Sequence, residues 1–224
     1  MIGIITAETK ELEAVLNCLT IKEKKEIYDK TFYIGTINNK DIVLVKSNVG
    51  KVNSARTTQI LIDKFNVRLV INIGTAGSVD NSLNIGDVVV ADKLYQYDFD
   101  VTIFGRKLGE IENIGEYIKT DNKLLSIFNN ENVIIGGIAS GDRFVYKREE
   151  KDFIRNAFNV KCIEMEGASI AQTCFLSNIP FIIIRSITDK LDGSSKVEFE
   201  EFLEYSSKKC VEILKSIINS TLYN

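Results

Sequence analysis

The chain has 224 residues, 45% of them hydrophobic, a net charge of -3 and no histidine. This is enough apolar material for one sizeable core, and too balanced a charge for a nucleic-acid-binding face. The missing imidazole removes Ser-His-Asp and Cys-His nucleophiles, and it leaves acid–base work to carboxylates, lysines, tyrosines or cysteines.

In the opening stretch Met1-Ile2-Gly3-Ile4-Ile5-Thr6, residues 2–6 read as a buried strand. It lacks the basic start of a secretion signal, and no apolar run approaches the roughly 20 residues of a membrane span. Leu12, Val15, Leu16 and Leu19 fall at helical spacing over residues 8–19. Residues 31–37 and 41–47 alternate as a hairpin with Asn38-Asn39 at the turn. A helix is expected from Gly50 to Phe65, then a buried strand Leu69-Val70-Ile71-Asn72-Ile73-Gly74 running into a small-residue loop, Thr75-Ala76-Gly77.

A strand follows from Asp87 to Tyr95, and residues 105–120, without clear period, read as a surface loop or flap. Residues 121–129 look helical, residues 133–139 are a strand, and residues 147–157 are a helix. A short strand over residues 161–165 leads into a helix from Gly167 to Leu176. Pro180 precedes the strand from Phe181 to Ser186, and an amphipathic helix covers residues 198–217.

This alternation predicts an α/β fold: a single three-layer domain over residues 1–224, with a central mixed, mostly parallel sheet flanked by helices. Cys18, Cys162, Cys174 and Cys210 form no C-x-x-C pair and read as free thiols in a reducing cytoplasm.

Ligands of α/β sheets collect beyond the carboxyl ends of strands. Four segments bring small or charged residues there: Gly74-Thr75-Ala76-Gly77, Ser140-Gly141-Asp142-Arg143-Phe144, Glu164-Met165-Glu166, and Arg185-Ser186-Ile187-Thr188-Asp189. Together they predict one shared site with carboxylates in it. Each also has a plainer reading. Glu11 and Glu166 suit helix starts, where the dipole favours a carboxylate; Asp189 suits a turn; Phe144 suits a core. Glu8 and Lys10 read as surface residues. No G-x-G-x-x-G follows a strand and no P-loop is present, which removes support for dinucleotide and NTP binding.

In order, and over nearly the whole chain, these segments resemble the nucleoside phosphorylase/nucleosidase superfamily. Within it they are most similar to the bacterial 5'-methylthioadenosine/S-adenosylhomocysteine nucleosidases. Further matching pieces are Ser47-Asn48-Val49-Gly50-Lys51-Val52, Gly86-Asp87-Val88-Val89-Val90 and Asp100-Val101-Thr102-Ile103-Phe104-Gly105. The resemblance implies a homodimeric, cytoplasmic hydrolase that cleaves the adenine–ribose bond without cofactor or metal, and has neither nucleic acid nor membrane as a partner.

It also implies roles. Asp189 protonates adenine N7 and Glu11 activates water, the two-carboxylate logic of inverting glycoside hydrolysis. Glu166 accepts from the ribose hydroxyls, Met165 lies against the sugar, and Arg185 helps to hold Glu166. Phe144 stacks on adenine, the Val145 backbone reads the base edge, and Phe199 caps the ribose end. Thr75 and Thr188 stand where the family usually has serine, beside Ala76 and Gly77. Glu164 supports the site from behind, and Val101 and Phe104 cover the 5'-substituent of a neighbouring subunit's site.

Two departures concern the pocket. Glu8-Thr9-Lys10 replaces a stretch that commonly holds Met and more acidic residues. Gly109-Glu110-Ile111-Glu112-Asn113 replaces a Gln-hydrophobe-Pro-Gly flap, which leaves the 5'-substituent open. A related hydrolase acting on aminodeoxyfutalosine shares the site residues. A phosphorylase would need an arginine cluster for phosphate, and the place of its early Gly-Asp-x-x-Arg segment is taken by Cys18-Leu19-Thr20-Ile21-Lys22-Glu23. A nucleoside-binding protein without activity would be expected to lose Glu11, Glu166 or Asp189.

Overall fold

The strand Leu69–Ser78 (β5) is the one on which the others assemble. The structure, a computed structural model, describes residues 1–129, 131–190 and 195–220, with the side chains of residues 195–198 excepted. Before β5 come β1 (Ile2–Thr6), α1 (Thr9–Leu16), β2 (Thr20–Ile27), β3 (Lys30–Ile37), β4 (Lys40–Lys46) and α2 (Lys51–Phe65). After it come β6 (Val88–Gln96), β7 (Ile118–Lys119), α3 (Asn122–Leu125), β8 (Ile134–Ser140) and α4 (Arg148–Phe158). The chain continues with β9 (Val160–Glu164), α5 (Gly167–Leu176), β10 (Phe181–Asp189) and α6 (Ser195–Asn219).

β5 pairs in parallel with β1 at its start, with β10 along its length, and antiparallel with β9 at Gly77 and Ser78. The order β10-β6-β8-β9-β5, with β10 pairing β5 again, closes five strands into a ring; β1, β4, β3 and β2 extend the sheet outward. The sheet is mixed, as the alternation of elements implied, and helices cover both faces. Neighbouring residues separate by the two-residue strand period. Ile4, Ile71 and Ile184 pack with Leu12 and Val15 of α1 and Cys210 and Leu214 of α6. Ile5, Val70 and Ile183 pack with Leu61 of α2 and Ala168 and Ala171 of α5. A smaller cluster under α4 joins Ile154 and Phe158 to Val145, Val160 and Ile163.

Asn38 and Asn39 both take positive φ, 47° and 64°, the two-residue turn that matches strand twist in a hairpin. Several elements differ from expectation. β2 was missed: its burial pattern is exposed along almost its whole length, so it carries no apolar alternation. Its Lys22, Glu23, Lys24, Lys25 and Glu26 are what an edge strand uses to resist pairing with other chains. The expected loop Thr75-Ala76-Gly77 is strand, because β10 and β9 supply partners on both sides. The expected strand 181–186 likewise runs on to Asp189. The helix over 121–129 is α3 followed by a 3-10 turn, Ser126–Phe128. Among the described residues no helix is long and apolar enough to cross a membrane.

Candidate active site

The carboxyl ends of β5, β9 and β10, the start of α1, the loop after β8 and one side of α6 enclose a cavity of about 200 Å³. Glu11, Thr75, Ala76, Gly77, Phe144, Val145, Glu164, Met165, Glu166, Thr188, Asp189 and Phe199 all line it. Arg185 lies behind the wall, 1% exposed. Val101 and Phe104 are elsewhere, on an exposed turn around Thr102–Phe104, with Phe104 81% exposed.

Glu11 sits in the first turn of α1, where orphan backbone N–H groups favour a carboxylate. One oxygen accepts from the N–H of Ala7 and of Glu8, each at 2.9 Å. The other accepts from the N–H of Thr75 at 3.0 Å and its hydroxyl at 3.2 Å. Burial raises the Glu11 carboxyl above its usual range, against the pull of these donors and of the Arg185 charge. A group balanced between desolvation and donors suits a base that must take and release a proton.

The turn from β9 into α5 carries two carboxylates, Glu164 and Glu166, with Arg185 of β10 beneath them. Glu164 accepts from the backbone N–H of Glu166 at 3.0 Å and of Gly167 at 2.7 Å. It also accepts from the Ser140 hydroxyl and from the Arg185 guanidinium. Its oxygens are thereby engaged in holding the turn. Arg185 also donates to Asn72 and to the Ile184 carbonyl, the latter at 2.9 Å, and stands 3.9 Å from Glu166. Its first partner is therefore Glu164, and Glu166 is its more distant one. Burial works against the Arg185 charge, but the Glu164, Glu166 and Glu11 carboxylates hold its pKa above the ordinary value.

Glu166 keeps one conventional donor, the Gly50 N–H at 2.9 Å. Gly50 has φ 101°, a conformation that favours glycine, and the Asp142 carboxylate fixes the next N–H, of Lys51, at 2.7 Å. Burial first, and the Glu164 charge second, push the Glu166 carboxyl up to about 8. Glu166 thus holds a proton more readily than an ordinary carboxylate.

β10 shifts register between Ile187 and Asp189. Such a bulge re-aims side chains beside active sites, and here it lets adjacent Thr188 and Asp189 both line the cavity. Asp189, 2% exposed, accepts from the Thr188 hydroxyl at 3.0 Å. Its other oxygen accepts from the ammonium of Lys151 at 2.9 Å. Gly77 makes room for it: a Cβ there would lie 2.8 Å from that same oxygen.

Phe144 and Phe199 meet edge to face across the cavity mouth, with ring centroids 5.9 Å apart and planes at 74°. Phe144 is 43% exposed, which corrects the core alternative. Glu8 corrects the surface reading in the other direction, since it is half-buried and lines the cavity, whereas Lys10 is exposed. Sequence reasoning missed Lys151, Asn72 and the Gly50 N–H. Lys151 had a signal: it shares the buried stripe of α4 with Ile154 and Phe158, an odd place for a lysine. Cys162, Cys174 and Cys210 are buried and Cys18 half-buried, all free; burial pushes the first three thiols up, which makes them inert.

The family model of the Phosphorylase superfamily matches residues 1–219. A Staphylococcus haemolyticus protein named 5'-methylthioadenosine/S-adenosylhomocysteine nucleosidase is 38% identical over 225 residues, covering 97% of this chain and 99% of its own. A Helicobacter pylori nucleosidase of the same name, solved with butyl-thio-DADMe-Immucillin-A, superposes with TM-score 0.92 at 35% identity, covering 97% of each chain. The futalosine hydrolase of Helicobacter pylori strain 26695 is as similar, with TM-score 0.92, 35% identity and 97% of each chain covered.

Proposed function

The chain belongs to the Phosphorylase superfamily, and we propose that it is a purine nucleosidase cleaving 5'-methylthioadenosine and S-adenosylhomocysteine to adenine and the thioribose. The observation that carries this reading is the placement of Glu11 and Asp189 on the wall of one cavity, at the carboxyl ends of β5 and β10 and beside two aromatic rings.

Cleavage of an N-ribosyl bond passes through a cation-like sugar, with negative charge moving onto the base. Asp189 supplies a proton to adenine N7, and Glu11 takes one from the attacking water. Glu166 binds the ribose hydroxyls; hydrogen bonds they donate replace lost solvation and favour its ionised form. Met165 and Phe199 enclose the sugar, Phe144 stacks on the base and the Val145 backbone meets its edge. Thr75 and Thr188 orient Glu11 and Asp189, whose hydrogen bonds they make. Glu164 and Arg185 hold the Glu166 turn. The carboxylates repel a phosphate dianion and Arg185 is already engaged, which disfavours phosphorolysis.

We take residues 1–224 as one domain acting in the cytoplasm as a homodimer. The support for the dimer is Ile103 and Phe104, 88% and 81% exposed on one turn. Apolar residues presented together in this way mark a contact surface. In the dimer, Val101 and Phe104 cover the 5'-substituent in the partner's site. Light scattering of wild type and Phe104→Glu tests this, a dimeric mass for wild type and a shift toward monomer for the variant being expected.

A second reading, hydrolysis of a futalosine-type nucleoside, is favoured by the similarity to the futalosine hydrolase. Competition between the two substrate classes for the purified protein separates the readings by kcat/KM. Asp189→Asn tests the shared mechanism: it should bind adenine nucleosides and release no adenine, and wild-type turnover would remove the acid role.

A further inference from the structure

Lys151 is a buried cation that the reaction as outlined leaves unused. It lies on the stripe of α4 that also buries Ile154 and Phe158. Its side chain is fully buried, and its Nζ is 2.9 Å from Asp189 Oδ2 and 2.6 Å from the Lys190 carbonyl. A lysine so placed gives up its hydration and needs a compensating charge. Among the described residues, the carboxylate that pairs with it is Asp189, the very group required as the acid.

That creates a chemical difficulty. Asp189 must hand a proton to the base, yet a carboxylate accepting from an ammonium has none to give. The chain has no histidine to bring one. Several charged groups nearby, among the described residues, have partners of their own. Arg155 pairs with Asp152 at 2.9 Å, Arg143 with Glu150 at 2.7 Å, and Lys161 with Asp80 at 2.5 Å. Lys190 Nζ lies 3.3 Å from Asn84 Oδ1, and Glu11, Glu164 and Glu166 have the partners given above. The Cys162 thiol on β9 is held protonated by burial.

Resting on the nucleosidase reading, we propose that Lys151 is the positioning residue that loads Asp189 with the proton it delivers. On substrate binding, one N–H bond of the ammonium breaks and an O–H bond forms on Asp189, which leaves a neutral amine beside a neutral acid. Such a pair suits a site emptied of water better than two ions do. The acid then gives this proton to the base nitrogen as the glycosidic bond breaks and its electron pair stays on the base. Glu11 takes a proton from the water that adds to the sugar. After the products leave, Glu11 returns its proton to solvent and the Lys151 amine takes one up. The Lys190 carbonyl accepts from Nζ in both states and keeps it in place.

Steady-state adenine release by Lys151→Arg and Lys151→Met across pH 5 to 9, with folding checked by circular dichroism, tests the proposal. A guanidinium keeps the charge but does not surrender its proton. Lys151→Arg should therefore lose at least about 100-fold in kcat with KM within about threefold of wild type. Lys151→Met must load Asp189 from solvent, so its kcat should be highest at acidic pH and fall steadily as pH rises. Wild-type kcat in Lys151→Arg, or a wild-type pH profile in Lys151→Met, would overturn the proposal.

If neither variant folds, wild-type protein carrying 13C-labelled lysine decides. Bound to an uncleavable adenine nucleoside, the Lys151 Cε signal should move to that of a neutral amine, and a signal that stays charged refutes the relay. Failure of wild type to release adenine from any substrate would instead defeat the nucleosidase reading.

Discussion

Thr75 gives Glu11 two hydrogen bonds at the same oxygen, from its backbone N–H at 3.0 Å and from its hydroxyl at 3.2 Å. The end of β5 thereby fixes the carboxylate of α1. Glu11→Gln should lose at least about 100-fold in kcat, the usual worth of a positioned base, while adenine nucleosides still bind by calorimetry. An amide facing these N–H donors leaves some unpaired, so its melting temperature should also fall, by the equivalent of about 1–3 kcal/mol.

Gly77→Ala addresses geometry alone. The added methyl would stand 2.8 Å from Asp189 Oδ2, so the acid must move. Misplacing a reacting group by about 1 Å can cost about 100-fold. The variant should show a loss of at least about tenfold in kcat with a circular dichroism spectrum unchanged from wild type.

Arg185→Met removes the guanidinium from beneath the turn and leaves Glu164 buried without its charge partner. Breaking a buried pair in this way costs about 3–5 kcal/mol, which urea unfolding would measure. Arg185→Lys should recover only part of this, because an ammonium cannot serve Glu164, Asn72 and the Ile184 carbonyl at once.

Glu166 predicts a pH effect on stability. Its folded pKa, about 8, lies above the ordinary value of 4.5, so between these values the folded protein holds a proton that the unfolded chain has lost. Stability from this group is full below about pH 4.5 and is lost as pH rises through about 8. Glu11, also raised, acts in the same direction. Melting temperature of the ligand-free protein should therefore decline from pH 5 to pH 8, and Glu166→Gln should flatten the decline. An unchanged slope in the variant would contradict the assignment.

Much of the architecture was legible because it follows from local pattern. The apolar runs of β1, β5 and β10, the helical spacing of α1 and the Asn38-Asn39 turn each carry their own signal. β2 was illegible because an edge strand is defined by what it fails to bury. The continuation of β5 through Gly77 and of β10 through Asp189 depends on partners remote in sequence. At the site, carboxylates at strand ends were visible as a group. The partition of Arg185 toward Glu164, and the pairing of Lys151 with Asp189, needed the bulge in β10 and the approach of α4. Neither leaves a mark in spacing, except for a lysine on an otherwise apolar stripe.

The most direct test of the central claim is adenine release from 5'-methylthioadenosine by the purified protein in phosphate-free buffer, repeated with phosphate. Release at the same rate in both, with free methylthioribose as the second product, is the expected result. Release that depends on phosphate and yields the sugar phosphate would contradict hydrolysis and take from Glu11 its role as the base.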